Sequence, residues 1–524
     1  MQYKSASSPL LTIAGAALLL PFALRLAQAQ RPSTSDGALT GVWQCKLSRA
    51  DGEMPFTLDL AQSGDRVTGR VSSPAGELTI AAATLKNGVI NIQLPSPEGT
   101  YLLTAESDKQ ALTNGRVMLD GKSYGSWEGE RAPPPGRTGG VESLADGRVR
   151  PASVSGLREA YLPIAFPSSH AANLIALRNG DLLCTWYAGV WEGDSNVAIV
   201  MARLHTGSGE WTPPSVVARK QGYAFENPVP FEPADGVLWL FHTSQLANAG
   251  QANSQIFLVS STDAGGHWTQ PRLLFAQLGS FDRQRLLASG RTWIFPTYFT
   301  PSSGITGEDA LRNYSAIEIS TDQGLTWKEC VVPESQGLVQ PDVIELSPGH
   351  FRAFFRSRWA DWVYTSSSRD GCSWAAPIVT QLPNNNSSIQ LFRLYDGHLV
   401  IAFNNSQAAT KRGKSTTAPR WPLSVALSTD GGQTWPWVRD VETGGEVPIE
   451  SLPDAIAGVN VARERGAFFD HLYSYEYPSI VQTAEGVIHM AYTFRRRTIK
   501  YIAFDEAFIK GGSTRGIFKG DRTK

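Results

Sequence analysis

One short motif recurs four times in this chain and constrains its fold more than any other feature. Residues 428–435 read S-T-D-G-G-Q-T-W, and residues 261–268 and 320–327 carry the same Ser, Asp, Gly and Trp at the same offsets. Residues 368–374, S-R-D-G-C-S-W, form a copy that is one residue shorter. The aspartates of successive copies are 59, 48 and 60 residues apart. A structural unit of about fifty to sixty residues is therefore repeated. We call the repeated sequence the Asp motif.

The Asp motif has the composition of a tight turn. Its aspartate carboxylate is expected to accept hydrogen bonds from backbone N–H groups, and its glycine to supply a positive φ. Its tryptophan is expected to pack into the core. The motif therefore predicts a turn that builds the fold and does no chemistry of its own.

A second repeat, a turn glycine followed by an apolar strand, occurs six times at a similar period. The six glycines are Gly180, Gly236, Gly290, Gly349, Gly397 and Gly486. An Asp motif follows the second to fifth of them, and a degenerate copy at residues 206–211 follows the first. The last step, 89 residues, predicts an insertion before the final unit. Short strands at this period predict a six-bladed β-propeller over residues 150–510.

A separate unit precedes the propeller. Residues 37–131 contain eight short segments in which apolar and polar residues alternate, which predicts a small antiparallel β-barrel or sandwich. Two roles remain open for it, glycan binding or capping and spacing of the propeller. A Pro- and Gly-rich linker is expected at residues 132–149, beginning A-P-P-P-G-R-T-G-G. The predicted fold class is all-β.

Residues 1–29 have the features of a secretory signal peptide. An apolar run over residues 10–24 follows Lys4, and Ala27 and Ala29 form a small-x-small cleavage site. A membrane anchor is the alternative, but Pro21 and Arg25 interrupt the run, which is short for a span. The sequence therefore predicts a secreted or periplasmic protein without a transmembrane segment once the signal peptide is removed.

Composition narrows the class of partner. The chain has 524 residues, a net charge of −1 and 18% charged residues. It therefore lacks the excess of basic residues expected of a protein that binds nucleic acid. Fifteen tryptophans suit aromatic surfaces that stack on sugars. No metal-binding, dinucleotide or phosphate-loop motif occurs, so no cofactor and no catalytic metal are expected. The pairing of the four cysteines stays open, and we treat them as small core residues: Cys45, Cys184, Cys330 and Cys372.

Ligands of propellers bind on the axis at one face, so polar residues in otherwise apolar inner strands are the candidates for a site. They are His170, Glu192, Asp194, Asn227, Gln340, Asp342, Arg356, Arg358, Asn384, Asn385, Asn386, Arg420, Tyr475 and Tyr477. Asn227 is expected to contact the substrate.

The repeats and these residues resemble the sialidase (neuraminidase) superfamily, in its bacterial branch with BNR or Asp-box repeats. The resemblance covers residues 150–505. It implies an exo-α-sialidase-like glycoside hydrolase in which three arginines hold the substrate carboxylate, a Tyr nucleophile is paired with a Glu, and an Asp is the acid/base.

Three positions match that pattern. Arg356, in A-F-F-R-S-R, resembles the second arginine, and Arg420, in A-P-R-W-P-L, resembles the third. Tyr477, in E-Y-P-S-I-V, resembles the nucleophile. Asp194, in W-E-G-D-S-N, resembles the acid/base, with Glu192 as a rival. The duller alternatives are solvated or ion-paired arginines and a core tyrosine bonded to backbone.

Two positions depart from the family. His170-Ala171-Ala172 stands where the family has Arg-Ile-Pro, so one arginine of the carboxylate clamp is missing. Gln340 stands in place of the Glu and cannot accept a proton. Asp342, two residues further along an expected strand, is predicted to share the face of Gln340, so that Asp342 or Gln340 assists Tyr477 in place of that base. Residues 495–497, three arginines, are expected to form a solvated edge.

The sequence therefore predicts a hydrolase whose substrate is a glycan or polysaccharide with an acidic, terminal sugar. Two alternatives remain. The first is a uronate-directed lyase, in which arginines stabilise the carboxylate, His170 removes the α-proton and Tyr477 protonates the leaving oxygen. The second is a propeller that binds glycans without turnover. The sequence leaves the sugar, the linkage and the oligomeric state open.

Overall fold

A computed structural model describes eleven stretches of the chain. They are residues 39–49, 52–73, 76–96, 98–108, 111–131, 141–189, 192–301, 311–408, 418, 420–443 and 474–512. The predicted signal peptide lies outside the described residues, as do residues 132–140 of the predicted linker. No helix in these stretches is both long and apolar enough to span a bilayer.

The N-terminal unit is one curled antiparallel sheet. Its strands are β1 (Gly41–Arg49), β2 (Gly52–Ser63), β3 (Arg66–Ser73), β4 (Gly76–Thr79), β5 (Ala82–Lys86), β6 (Val89–Ser96), β7 (Gly99–Ser107), β8 (Ala111–Leu119) and β9 (Lys122–Arg131). They pair in the order β2-β1-β9-β8-β7-β6-β5-β3-β4, and a further pairing joins β2, the first strand of this order, to β3, the last but one. The sequence predicted eight strands here. The fourth of them is two strands, β4 and β5, because the chain leaves strand geometry at Ile80 and Ala81.

Alternation places the core of this sheet. In β6 the side chains of Ile90, Ile92 and Leu94 are buried, whereas the intervening Asn91 and Gln93 are partly or fully exposed. Successive residues of a strand face opposite ways, so one face of the sheet is apolar and encloses the core while the other meets solvent.

Six further sheets follow, one for each predicted blade. Blades 1 and 2 comprise β12 (Ser168–Ala176), β13 (Leu182–Gly189), β14 (Ala198–Leu204), β15 (Ser215–Ala218), β16 (Tyr223–Phe231), β17 (Leu238–Leu246), β18 (Gln255–Ser261) and β19 (Arg272–Phe275). Blade 3 comprises β20 (Ser280–Phe281), β21 (Leu287–Ser289), β22 (Thr292–Phe299), β23 (Tyr314–Ser320) and β24 (Lys328–Val331). Blades 4 and 5 comprise β25 (Leu338–Ser347), β26 (His350–Ser357), β27 (Trp362–Ser368), β28 (Ile378–Pro383), β29 (Gln390–Arg393), β30 (Leu399–Asn404), β31 (Leu423–Ser428) and β32 (Trp437–Glu442). Blade 6 comprises β33 (Tyr475–Gln482), β34 (Ile488–Phe494) and β35 (Thr498–Phe504), completed by β11 (Arg158–Tyr161) and β10 (Arg150–Pro151).

Blade 6 closes the propeller because its outer strands come from the other end of the propeller sequence. β11 pairs with β35 in antiparallel register from Arg158↔Ala503 to Tyr161↔Lys500. A short helix at each end, α1 (Val141–Leu144) and α2 (Glu506–Lys510), packs on the core of blades 5 and 6. Val141 is fully buried in that core, so residues 141–149, assigned to the linker from sequence, belong with the propeller.

Both repeats found in the sequence are turns of the blades, as predicted. All six hairpin glycines have φ between 61° and 92°, and each lies in the turn between two consecutive paired strands of its blade. In the Asp motif of blade 5, Asp430 Oδ1 accepts from Ser428 Oγ at 2.7 Å and from the Thr434 N–H at 2.9 Å. The other three copies repeat this pattern.

Cys330 and Cys372 form a disulfide, so their assignment as small core residues was wrong. Cys330 lies in β24, the outer strand of blade 3, and Cys372 lies in the Asp motif of blade 4. The bridge therefore joins two neighbouring blades. Cys45 and Cys184 are buried free cysteines.

Candidate functional site

The same irregularity recurs in the inner strands of four blades. The register of β12, β16, β25 and β33 shifts by a bulge at equivalent places. At each bulge one residue other than glycine has a positive φ, namely Ala171, Asn227, Gln340 and Tyr477. Such conformations cost free energy and are concentrated at functional sites. A bulge also re-aims side chains, so these strands present residues that a regular pleat would hide.

Tyr477 stands at the centre of the polar cluster that these strands build. Its phenol oxygen accepts a hydrogen bond from Arg356 Nη1 at 2.7 Å, and its ring centroid lies 4.2 Å from that of His170. The guanidinium carbons of Arg356 and Arg420 are each 5.7 Å from the ring centroid. Residues from blades 1, 4, 5 and 6 therefore meet at one phenol.

These surroundings change the acidity of Tyr477. Burial raises the pKa of the phenol, but the guanidiniums of Arg356 and Arg420 outweigh it and lower the pKa to about 8. A nearby positive charge favours the ionised form of an acid. A phenolate is thus accessible close to neutral pH.

The carboxylate of Glu476 is fully buried beside this phenol and is surrounded by cations. Arg496 Nε donates to it at 2.6 Å, and Arg420 Nη1 contacts its other oxygen. His170 Nδ1 lies 3.6 Å away and is 3.0 Å from the Thr493 hydroxyl oxygen. A buried carboxylate needs such partners to remain charged. Glu476 therefore fixes the positions of three side chains of the cluster.

The three arginines at residues 495–497 are buried, and the expectation of a solvated edge was wrong. Arg495 and Arg496 have positive φ values in the turn between β34 and β35, so strict alternation does not apply there. Arg496 Nη1 also donates to Glu192 at 2.7 Å. Burial raises the pKa of Glu192, but Arg496 outweighs it and lowers the pKa.

Gln340 and Asp342 do not share a face as predicted, because the bulge of β25 lies between Val339 and Asp342. Gln340 Oε1 accepts from Arg356 Nη1 at 3.3 Å and so belongs to the cluster. Asp342 Oδ2 accepts from the Leu391 N–H at 2.6 Å. Burial raises the pKa of Asp342 to about 6, although Arg285 opposes the rise.

Asp342 borders an axial network that sequence reasoning missed. Between β20 and β21, Arg283 donates to the backbone oxygens of Ala172 and Tyr477 at 3.0 and 3.1 Å, in blades 1 and 6. Gln284 donates to Ile389 O in blade 5 at 2.6 Å. Two consecutive side chains of blade 3, Arg283 and Gln284, thus form hydrogen bonds to the backbone of blades 1, 5 and 6.

The two remaining candidates lie on the side of blades 1 and 2. Asp194 is buried in the loop after β13. Asn227 occupies the bulge of β16 and is also buried. Its neighbour Glu226 accepts from the Gly193 N–H at 3.0 Å and so holds the Asp194 loop in place. Burial and the charge of Glu192 raise the pKa of Glu226 to about 8.

Sequence reasoning missed the roles of Glu476 and Arg496. The available signal was charge next to apolar strands, because Glu476 lies at the start of β33 and Arg496 lies in the turn after β34. Strand alternation hid Glu476, because it places adjacent residues such as Glu476 and Tyr477 on opposite faces. The bulge at these two residues brings both into one cluster.

One group among the described residues has the donor atoms of a metal site, and it lies outside this cluster. Asp396, His398 and Glu506 bring their ligand atoms within 4.8 Å of one another. His398 Nδ1 is 2.6 Å from Glu506, whose other oxygen accepts from Lys510 at 2.6 Å. These contacts form a hydrogen-bonded network that attaches α2 to the hairpin of blade 5.

Six blades around a buried cluster of arginines and one tyrosine define a sialidase-like β-propeller. The chain belongs to the BNR repeat-like domain family, whose sequence model matches residues 180–490. A search among curated protein sequences finds no match.

Similar solved structures include several sialidases. The Hadza microbial sialidase Hz136 is 15% identical with a TM-score of 0.51, over 80% of this chain and 76% of that one. The NanB sialidase from Streptococcus pneumoniae is 11% identical with a TM-score of 0.52, over 91% and 94%. A leech intramolecular trans-sialidase is 11% identical with a TM-score of 0.51, over 91% and 93%. At these identities the likeness concerns the fold alone.

Proposed function

We propose that this protein is an exported sialidase-type glycoside hydrolase that acts on an acidic, terminal sugar of a glycan or polysaccharide. The observation that carries the proposal is the hydrogen bond from Arg356 to the Tyr477 phenol, within a cluster that also contains Arg420 and His170. These residues come from four blades, and only the closed ring brings them together.

The two arginines suit the carboxylate of an acidic sugar. A guanidinium presents planar paired donors that match a carboxylate and fix its orientation. Within the described stretches, the acceptors that Arg356 bonds are neutral oxygens, those of Asn386, Gln340 and Tyr477. It can therefore exchange these bonds for stronger ones to a substrate carboxylate.

The lowered pKa of Tyr477 explains how the site works with Gln340 in place of a base. A phenol that ionises near pH 8 gives a reactive phenolate without a neighbouring carboxylate to accept its proton. A phenolate also suits an acidic sugar, since sialidases are the exception to the use of two carboxylates. The positive charges of Arg356 and Arg420 therefore favour the phenolate, which a Glu at the position of Gln340 would otherwise form by accepting the phenol proton.

In the proposed reaction the Tyr477 oxygen attacks the anomeric carbon while the glycosidic oxygen leaves with a proton. Asp194 supplies that proton as the acid/base, with Glu192 as the alternative donor. Water then attacks the anomeric carbon of the glycosyl-tyrosine, gives its proton to the same carboxylate and releases the sugar. His170 and Asn227 contact the rest of the sugar. Asp342 and Gln340 act around this centre as positioning groups.

Two features support export. Residues 1–29 have the composition of a signal peptide. The Cys330–Cys372 disulfide is of a type that persists in oxidising compartments and is rare in the cytosol.

The uronate lyase remains a second candidate because His170 packs directly on the ring of Tyr477. A base and a phenol in contact, beside two arginines, are the groups that β-elimination from a uronate requires.

One assay separates the candidates. The purified protein is incubated with aryl α-sialosides and, separately, with a panel of uronate polysaccharides. Release of aryl alcohol supports the hydrolase, and appearance of the ultraviolet band of an unsaturated uronate supports the lyase. Retention on glycan without turnover supports a binding protein and contradicts the proposed function.

A further inference from the structure

A fourth arginine of the cluster has no partner in the part of the chain that is described. Arg358 follows β26, and its backbone N–H donates to Gly337 O. The side chain is 5% exposed, its Nε is enclosed without an acceptor, and its guanidinium makes no hydrogen bond or ion pair with any described residue. A buried charge without a partner is strongly unfavourable. This arrangement therefore needs a compensating anion.

The guanidinium of Arg358 lies close enough to the cluster to interact with it. Burial and repulsion from Arg356 together lower the pKa of Arg358 to about 10, although Tyr298 and Tyr477 oppose the decrease. The side chain still carries its full charge at neutral pH. Burial raises the pKa of Tyr298, from β22, and the charge of Arg358 and the side chain of Gln340 oppose the rise, so Arg358 occupies the side of the cluster formed by blades 3 and 4.

The ion pairs of the cluster show which of its arginines already have a carboxylate partner. Glu476 already pairs with Arg420 and Arg496, and Glu192 pairs with Arg496. Arg356 bonds neutral oxygens and Arg358 bonds none. Of the four arginines Arg356, Arg358, Arg420 and Arg496, the first two thus lack a carboxylate partner among the described residues, and a sugar with a single carboxylate satisfies one of them.

We propose that Arg358, with the Tyr298 hydroxyl beside it, binds a second oxyanion, so that the substrate is an acidic sugar carrying another anionic group such as a sulfate ester or a second carboxylate. As a statement about the substrate this rests on the proposed function. The anion-binding position itself does not, and it is tested without turnover.

The contrast with Arg283 supports the assignment. Arg283 is also buried, but it donates to three backbone oxygens of blades 1 and 6 and therefore has a structural role. Arg358 makes no such bonds with any described residue. Its replacement by Met, which has a similar length and no charge, removes an uncompensated buried cation. The Arg358→Met protein is therefore expected to melt at the same temperature as the unaltered protein or higher when no anion is present. A structural role for Arg358 predicts a lower melting temperature.

Binding of inorganic sulfate to the full chain tests the position directly. Sulfate is titrated calorimetrically in the presence of saturating acetate, a monoanion that fills the Arg356 and Arg420 clamp. We expect sulfate to bind alongside acetate, and Arg358→Met to raise the sulfate dissociation constant about tenfold or more. Arg352→Met is the matched control, because Arg352 lies in β26, the strand that Arg358 follows, and donates to Gly431 O. It should leave sulfate binding unchanged.

Two results overturn the proposal. One is competition between acetate and sulfate for a single position in the unaltered protein. The other is the same sulfate affinity in Arg358→Met as in the unaltered protein. If sulfate binds as expected but no substrate of the panel is turned over, the second anion position stands and the proposed hydrolase fails.

Discussion

Two opposing effects determine the pKa of the Tyr477 phenol. Burial favours the neutral phenol, whereas Arg356 and Arg420 favour the phenolate and prevail. In other buried tyrosines the effect of burial prevails and raises the pKa, to about 12 in Tyr161 and well above the usual range in Tyr298. The acidity of Tyr477 is therefore a property of its neighbours from other blades.

Titration of the folded protein measures this acidity. We expect one of the 15 tyrosines to ionise near pH 8, seen as tyrosinate absorbance, and this step to vanish in Tyr477→Phe. An unfolded tyrosine titrates near about 10, so between these values the folded state holds fewer protons at this group. The free energy of unfolding of the unaltered protein should therefore rise with pH in this window relative to Tyr477→Phe. A titration with no step below pH 10 would contradict this account.

At the scale of the strand, the bulges decide which side chains reach the site. The repeats predicted the blades and their hairpin turns because glycine and aspartate act locally, within a few residues. Asp342 was misplaced because alternation was extended through Gln340, where φ is positive and the register shifts. Such a bulge depends on packing against neighbouring blades, and the sequence of one strand does not show it. The convergence of Arg356, Arg420 and Tyr477 was predictable only through the resemblance to a family of six-bladed propellers.

A buried ion pair secures the strand that closes the ring. Lys500 Nζ, in β35, lies 2.9 Å from Glu442 in blade 5 and 3.0 Å from Glu159 in β11. Removing one partner of a buried pair leaves an uncompensated charge. Lys500→Ala should therefore lower the free energy of unfolding by about 3–5 kcal/mol, measured by denaturant titration.

A comparison of variants isolates the charge effect. Lys500→Met combined with Glu442→Gln should cost less than Lys500→Ala, since no ion is then left alone. Lys510→Ala removes an exposed partner of Glu506 and should change stability by less than about 1 kcal/mol. Equal losses in Lys500→Ala and Lys510→Ala would show that Lys500 has no role in closure.

At the scale of the molecule, a covalent bond between two neighbouring blades adds to the closing strand in stabilising the propeller. The Cys330–Cys372 disulfide joins blades 3 and 4 across a sequence separation of 42 residues. The sequence could not assign this pair, because its cysteines come together only when two blades are packed side by side.

Replacement of both bridge cysteines by serine should lower the free energy of unfolding by about 3–4 kcal/mol, because a loop of this length is no longer closed in the unfolded chain. The loss is measured by thermal or denaturant unfolding. Under denaturing, non-reducing conditions the protein should show two free thiols, those of Cys45 and Cys184, and four after reduction. Four thiols before reduction would contradict the bridge.

The most direct measurement of the central claim compares turnover by two phenol variants on whichever acidic substrate of the panel the protein cleaves. Tyr477→Phe removes the hydroxyl that Arg356 contacts. Tyr475→Phe removes a buried hydroxyl of the same strand that instead accepts from Arg495 Nε at 3.1 Å. We predict that Tyr477→Phe lowers kcat at least about a hundredfold while both variants stay folded and Tyr475→Phe retains activity. Undiminished turnover by Tyr477→Phe would show that the reaction does not pass through this tyrosine.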